Sequence, residues 1–153
     1  MTNNKHIYTN HQLEMLKCIV DCLIPAKGPM PSAATVGTVE FISAATIKSP
    51  QSSRLMIEGF TQIDIMAQKQ GLAYVNLTKE NQKEIIQSIE SNHTEFFKLL
   101  LKETYNCYYT NPSVLKLIGL PGRPPQPLGY ELHQGNLDLL ESVSARGEIW
   151  RKV

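Results

Sequence analysis

Four prolines within seven positions, Pro121, Pro124, Pro125 and Pro127, stand beside Gly119, Gly122 and Gly129 and limit what this chain can fold into. Proline lacks the N–H, its ring clashes with the preceding turn, and the residue before it is driven toward extended geometry. Residues 119–131 therefore read as an irregular ribbon, with regular structure on either side. Upstream, apolar residues recur at steps of three and four, and neither strand alternation nor an internal repeat is found. The expected fold class is all-α: one domain over 1–153, a bundle of about six to seven helices with a proline-rich irregular segment near the C-terminus.

The helices can be placed from their caps and stripes. Leu13, Leu16, Ile19, Val20 and Leu23 follow a Thr9/Asn10 cap and stop before Pro25, with residues 1–8 as a flexible lead. Val36, Val39, Phe41 and Ile42 suggest a second, shorter helix after a loop rich in Pro, Gly, Ser and Ala. Ser49 to Gln70 carries Leu55, Met56, Phe60, Ile63, Met66 and Ala67 and closes on Gly71. Thr78 caps the next helix, which turns Ile85, Ile86 and Ile89 inward. The segment "EFFKLLLKETYNCYY" is apolar over most of its circumference, so it should lie centrally, with Phe97, Leu100 and Leu101 among the most buried side chains. Asn111, Pro112 and Gly119 bracket a short helix holding Val114, Leu115, Leu117 and Ile118. Asn136 caps a last one through Leu137, Leu139, Leu140 and Val143.

At 153 residues the chain can bury roughly two-thirds of its unfolded surface, and 42% hydrophobic with 19% charged residues is ordinary for a globular protein. A formal net charge of +1 supplies no field for a nucleic-acid backbone, so nucleic acid is not an expected partner. No apolar run approaches the ~20 residues that cross a bilayer, so direct membrane insertion is not expected.

Cys18, Cys22 and Cys107 are too few for a disulfide scaffold and read as reduced and buried. Cys18 and Cys22 share a helix face where two thiols could hold a metal. No Cys or His pair of matching spacing completes a closed four-ligand site, so no metal is expected. His6, His11, His93 and His133 fall at helix starts or in loops, as solvated or capping residues. The acids Glu14 and Asp21, and Glu80 and Glu84, lie on polar faces and read as solvated surface rather than an acid–base pair. No nucleotide, P-loop, zinc-protease or serine-hydrolase motif is present, and no catalytic or cofactor-binding residue is assigned.

The tyrosines around the ribbon, Tyr105, Tyr108, Tyr109 and Tyr130, are large, stiff, amphipathic surfaces that lose little entropy on docking. Two readings of this segment stay open. It wraps its own core, with tyrosine hydroxyls tying down orphan carbonyls, or it forms a partner surface made of Tyr105, Tyr108, Tyr109, Pro112, Gly119, Pro121, Gly122, Pro127, Gly129 and Tyr130. A stand-alone helical protein with a small ligand in its core is the other functional class, and it requires an enclosed apolar pocket.

Three stretches taken in order carry a resemblance: "LKCIVDCLIPAKGPMPSAATVGTVEFI", "FFKLLLKETYNCYYTNPSVLKLIGLPGRPPQPLGY" and "ARGEIWR". Together they resemble the gluconate 2-dehydrogenase subunit 3 family, the small gamma subunit of membrane-associated flavoprotein dehydrogenases, from about Leu13 to Arg151. The resemblance implies an accessory subunit with no cofactor of its own. Its partners would be a large flavoprotein subunit, in which FAD is expected, and a cytochrome c subunit that passes electrons onward. In that family the small subunit stabilises the large one and commonly supplies a twin-arginine signal for export of the folded pair. The resemblance thus implies a periplasmic location; the residues before Ile7 show no such signal, and a chain complete as written would be cytoplasmic.

Overall fold

Thr9 starts the first helix by a reciprocal cap. Its hydroxyl accepts from the Gln12 amide at 3.2 Å, while the Gln12 side-chain oxygen accepts from the Thr9 amide at 2.9 Å, satisfying two donors that a bare helix end leaves orphaned. The computed structural model describes residues 7–121 and 135–147. Within them α1 (Asn10–Leu23) is followed by a 3-10 turn (Ala33–Val36), α2 (Thr38–Thr46) and α3 (Pro50–Lys69). A second 3-10 turn (Tyr74–Asn76), α4 (Lys79–Asn92), α5 (Thr94–Thr110) and α6 (Pro112–Leu117) come next. A third 3-10 turn (Leu137–Leu140) then runs directly into α7 (Glu141–Ser144). Among the described residues there are seven α-helices and no strand, so the fold is all-α. Gly122, Pro124, Pro125, Pro127, Gly129, Tyr130 and Trp150 lie outside the described residues.

The chain divides into two units, Met1–Arg123 and Pro124–Val153. In the first, α1 packs against α2 and α4, while α5 packs against α2, α3, α4 and α6 and so has the central place expected of it. Met15, Leu16, Ile19 and Val20 of α1 meet Phe60 and Ile63 of α3, Ile89 of α4 and Phe96 and Leu100 of α5 in one apolar cluster. Burying each such side chain contributes about 1.5–3 kcal/mol. An edge-to-face aromatic row crosses it, with Tyr8 5.6 Å from Phe60 and Phe60 6.1 Å from Phe96 between ring centres. Gly59 makes the α3–α5 approach possible, since a Cβ there would lie 2.2 Å from the Phe96 ring.

Several expectations need correction. Tyr8, expected to belong to a flexible lead, is buried and hydrogen-bonds the Thr46 hydroxyl at 2.6 Å. On α5 the inward row is Phe96, Leu100, Thr104, Cys107 and Tyr108, with Phe97 beside it. Leu101 is only partly buried because 100° per residue carries it to the flank of that row. The loop after Gly71 hides a core residue, Tyr74, which no helical stripe announces. Its hydroxyl donates to the Gln82 carbonyl at 3.4 Å, and the Gln82 side-chain amide donates back to the Tyr74 carbonyl at 3.0 Å. In the second unit the last helix is a 3-10 turn plus one α-turn. Asn136 does cap it, accepting from the Asp138 amide at 3.0 Å, but Leu139, Leu140 and Val143 are exposed within that unit.

Candidate partner-binding surface

The end of α5 sorts its three tyrosines by helical angle. Tyr105 and Tyr109, one turn apart, stack edge to face on the outside with ring centres 5.7 Å apart; they are 45% and 48% exposed. Tyr108 points the other way. It is 2% exposed, and its hydroxyl donates to the Pro31 carbonyl at 2.8 Å, fastening the loop after α1 to α5. Burial, with Tyr109 adding to it, pushes the Tyr108 phenol above its ordinary range. Tyr108 is thus a core residue rather than part of an exposed surface, and at this one position a tyrosine hydroxyl does tie down a loop carbonyl.

Asn111 turns the chain from α5 into α6. Its side-chain oxygen accepts from the Ser113 amide at 2.9 Å, and Pro112 takes the first helical position, where its missing N–H costs nothing. Val114 and Leu115 are buried, and a helix of six residues can bury only one face. Leu117 and Ile118 stand 46% and 45% exposed. Gly119 ends the helix at φ +83°: its amide donates to the Lys116 carbonyl at 3.1 Å and the Leu120 amide donates to the Leu115 carbonyl at 2.9 Å. This is the paired-bond stop that favours glycine, so Gly119 acts through its backbone. Leu120 follows, 49% exposed, and then exposed Pro121.

Tyr105, Tyr109, Leu117, Ile118 and Leu120 therefore follow one another along the chain as exposed apolar side chains over the last two turns of α5, α6 and its stop. The sequence reading chose the tyrosines and missed the three aliphatic residues. The signal that could have found them is the shortness of α6, which cannot hide four large side chains.

Other candidates resolve into structural roles. Asp21 is not simply solvated: its carboxylate accepts from the Ala34 amide at 2.9 Å and so anchors the first 3-10 turn. His11 reaches across to the Asp64 carboxylate of α3 at 2.9 Å. Glu14, Glu80 and Glu84 are exposed, as expected. Cys18 and Cys22 are free and partly buried, and Cys107 is free and buried. Among the described residues no three His, Cys, Asp or Glu side chains gather as metal ligands. The stand-alone ligand reading requires an enclosed apolar chamber. The depressions seen here are open ones, about 500 Å³ beside Cys22, Lys79 and Lys83 and about 480 Å³ beside Gly59 and His93.

Comparison with curated proteins finds no match, and comparison with solved structures finds none either. The family model of gluconate 2-dehydrogenase subunit 3 matches residues 10–122. That span begins at the first residue of α1 and ends just past the Gly119 stop, taking in all of the core but Tyr8, together with the exposed run. The chain belongs to the gluconate 2-dehydrogenase subunit 3 family.

Proposed function

We propose that this chain is the non-catalytic small subunit of its complex and binds the large flavoprotein subunit through Tyr105, Tyr109, Leu117, Ile118 and Leu120. Membership in the family makes it a subunit of a gluconate 2-dehydrogenase-like complex. The reading goes further: FAD sits in the large subunit, a cytochrome c subunit takes the electrons, and the small subunit stabilises its partner and accompanies it to the periplasm. The carrying observation is the exposed apolar run on α5 and α6 in a chain whose family is defined as a subunit. Tyrosine pairs held on a rigid helix are the side chains that dominate interface energetics. Two of the carboxylates are held by the fold, Asp21 on the Ala34 amide and Asp64 on His11.

The test is co-expression with the flavoprotein subunit and measurement of the affinity. Tyr105→Ala with Tyr109→Ala should cost on the order of 2 kcal/mol or more, about 30-fold in Kd. The melting temperature of the isolated chain should move by only a few degrees. Unchanged affinity would remove the proposed surface. Oxidation of a sugar acid by the isolated chain with an artificial acceptor would remove the accessory role.

A further inference from the structure

Cys18 and Cys22 lie one turn apart on α1, free and partly buried. Side chains at this spacing share a helix face with Cβ atoms about 5–6 Å apart, a gap that two sulfurs can close by rotation about χ1. Cys18 packs against the apolar core. Cys22 lines the open depression between α1 and α4, together with Asp21, Pro25, Ser32, Lys79 and Lys83. Cys18 thus gives the pair an apolar side, and Cys22 faces an open depression that a small ion can enter.

The donor set selects the ion. Among the described residues no third His, Cys, Asp or Glu joins the pair, so a four-ligand zinc cage is not assembled. Two thiolates alone suit a soft monovalent cation, and soft sulfur ligands select Cu(I). We propose that Cys18 and Cys22 form a two-coordinate site for Cu(I). On binding, each S–H bond is replaced by an S–Cu bond, two protons leave to solvent, and copper stays in the +1 state with no electron transferred. The two thiolates and one copper carry a net charge of −1. Lys79 and Lys83 line the same depression as Cys22, so its cationic side offsets that charge.

The site needs no partner, so its test is separate from that of the proposed function. The reduced full chain is titrated with Cu(I) under anaerobic conditions against bicinchoninate as competing chelator. The expected result is one copper per chain, a near-ultraviolet thiolate-to-copper band and two protons released. Cys18→Ser and Cys22→Ser should each weaken binding by at least about 100-fold, since each removes half of the ligands. Cys107→Ser should leave it within about twofold. X-ray absorption of the copper-loaded wild-type chain should show two sulfur neighbours and no nitrogen, a readout that does not depend on either variant folding. Copper wholly lost to bicinchoninate, binding that survives either substitution, or any other neighbour set would overturn the site.

Discussion

Tyr108 and Tyr109 are adjacent in sequence, and their rings meet edge to face with centres 5.2 Å apart, yet one belongs to the core and the other to the surface. Tyr108 is 2% exposed and its hydroxyl is bonded to a loop 77 positions away; Tyr109 is 48% exposed. Residue type cannot distinguish them. The 100° step of α5 does, and it divides the helix into an inner face that holds the fold and an outer face left for something else. The family match covers both faces.

The largest test of that division is Leu100→Asn. Leu100 is fully buried on the inner row. Cutting it costs roughly 2–5 kcal/mol as a cavity, and the unpaired amide adds about 1–3, against a total stability of ~5–15. Little soluble monomer is expected on expression. Lys98→Ala on the outer face removes only an exposed 3.2 Å pair with Glu95, and chemical denaturation should show a change within about 0.5 kcal/mol. A soluble Leu100→Asn chain that has lost its partner would invert the two faces.

The tyrosines themselves give the next effect. Tyr108→Ala should cost about 3–5 kcal/mol. Tyr108→Phe keeps the ring but leaves the Pro31 carbonyl without its donor, and should cost about 1–2. Tyr109→Ala loses two edge-to-face contacts at the surface and should stay under about 1.5 kcal/mol. Denaturant midpoints of the three variants rank them directly. Equal costs for Tyr108→Ala and Tyr109→Ala would mean that the outer ring is also part of the fold.

Gly59→Ala probes how α3 reaches the inner face. In a helix interior, alanine is worth about 1 kcal/mol over glycine through propensity alone. Here the added Cβ would meet the Phe96 ring at 2.2 Å, and that ring is packed between Phe60 and the rest of the core. Overpacking of this kind costs about 1–3 kcal/mol, so the clash should win and a thermal melt should show net destabilisation. A stabilised variant would mean that α3 and α5 can separate without loss.

What the sequence revealed follows the same division. Helix starts were legible because Thr9, Ser49, Thr78, Asn111 and Asn136 each accept a backbone hydrogen bond at a helix or 3-10 start. The core stripes of α1, α3 and α4 were legible from their period. Tyr74 was not, because it enters the core from a 3-10 turn of three residues, too short to have a period. Tyr108 was misassigned because aromatic character was read as surface without following the angle along α5. Leu117, Ile118 and Leu120 were overlooked because apolar residues in a capped helix look like core until the length of the helix is counted. Gly119 was placed at the helix end correctly, and its role there is the stop itself.

The smallest effect concerns two threonines near the ends of α2, the helix packed along α5. Thr46 and Thr38 are both buried. The Thr46 hydroxyl donates to the Ile42 carbonyl at 2.8 Å and accepts from Tyr8 at 2.6 Å, whereas the Thr38 hydroxyl has no partner. Replacing threonine by valine keeps the shape and removes the hydroxyl, so the same substitution should act with opposite sign at the two positions. Thr46→Val strands the Tyr8 phenol and should cost about 1–2 kcal/mol. Thr38→Val removes an uncompensated buried polar group and should stabilise by roughly 0.5–1 kcal/mol, about 1–4 °C in melting temperature for a chain of this size. Destabilisation by Thr38→Val would show that its hydroxyl has a partner in solution, and that the inner face holds one more hydrogen bond than its geometry displays.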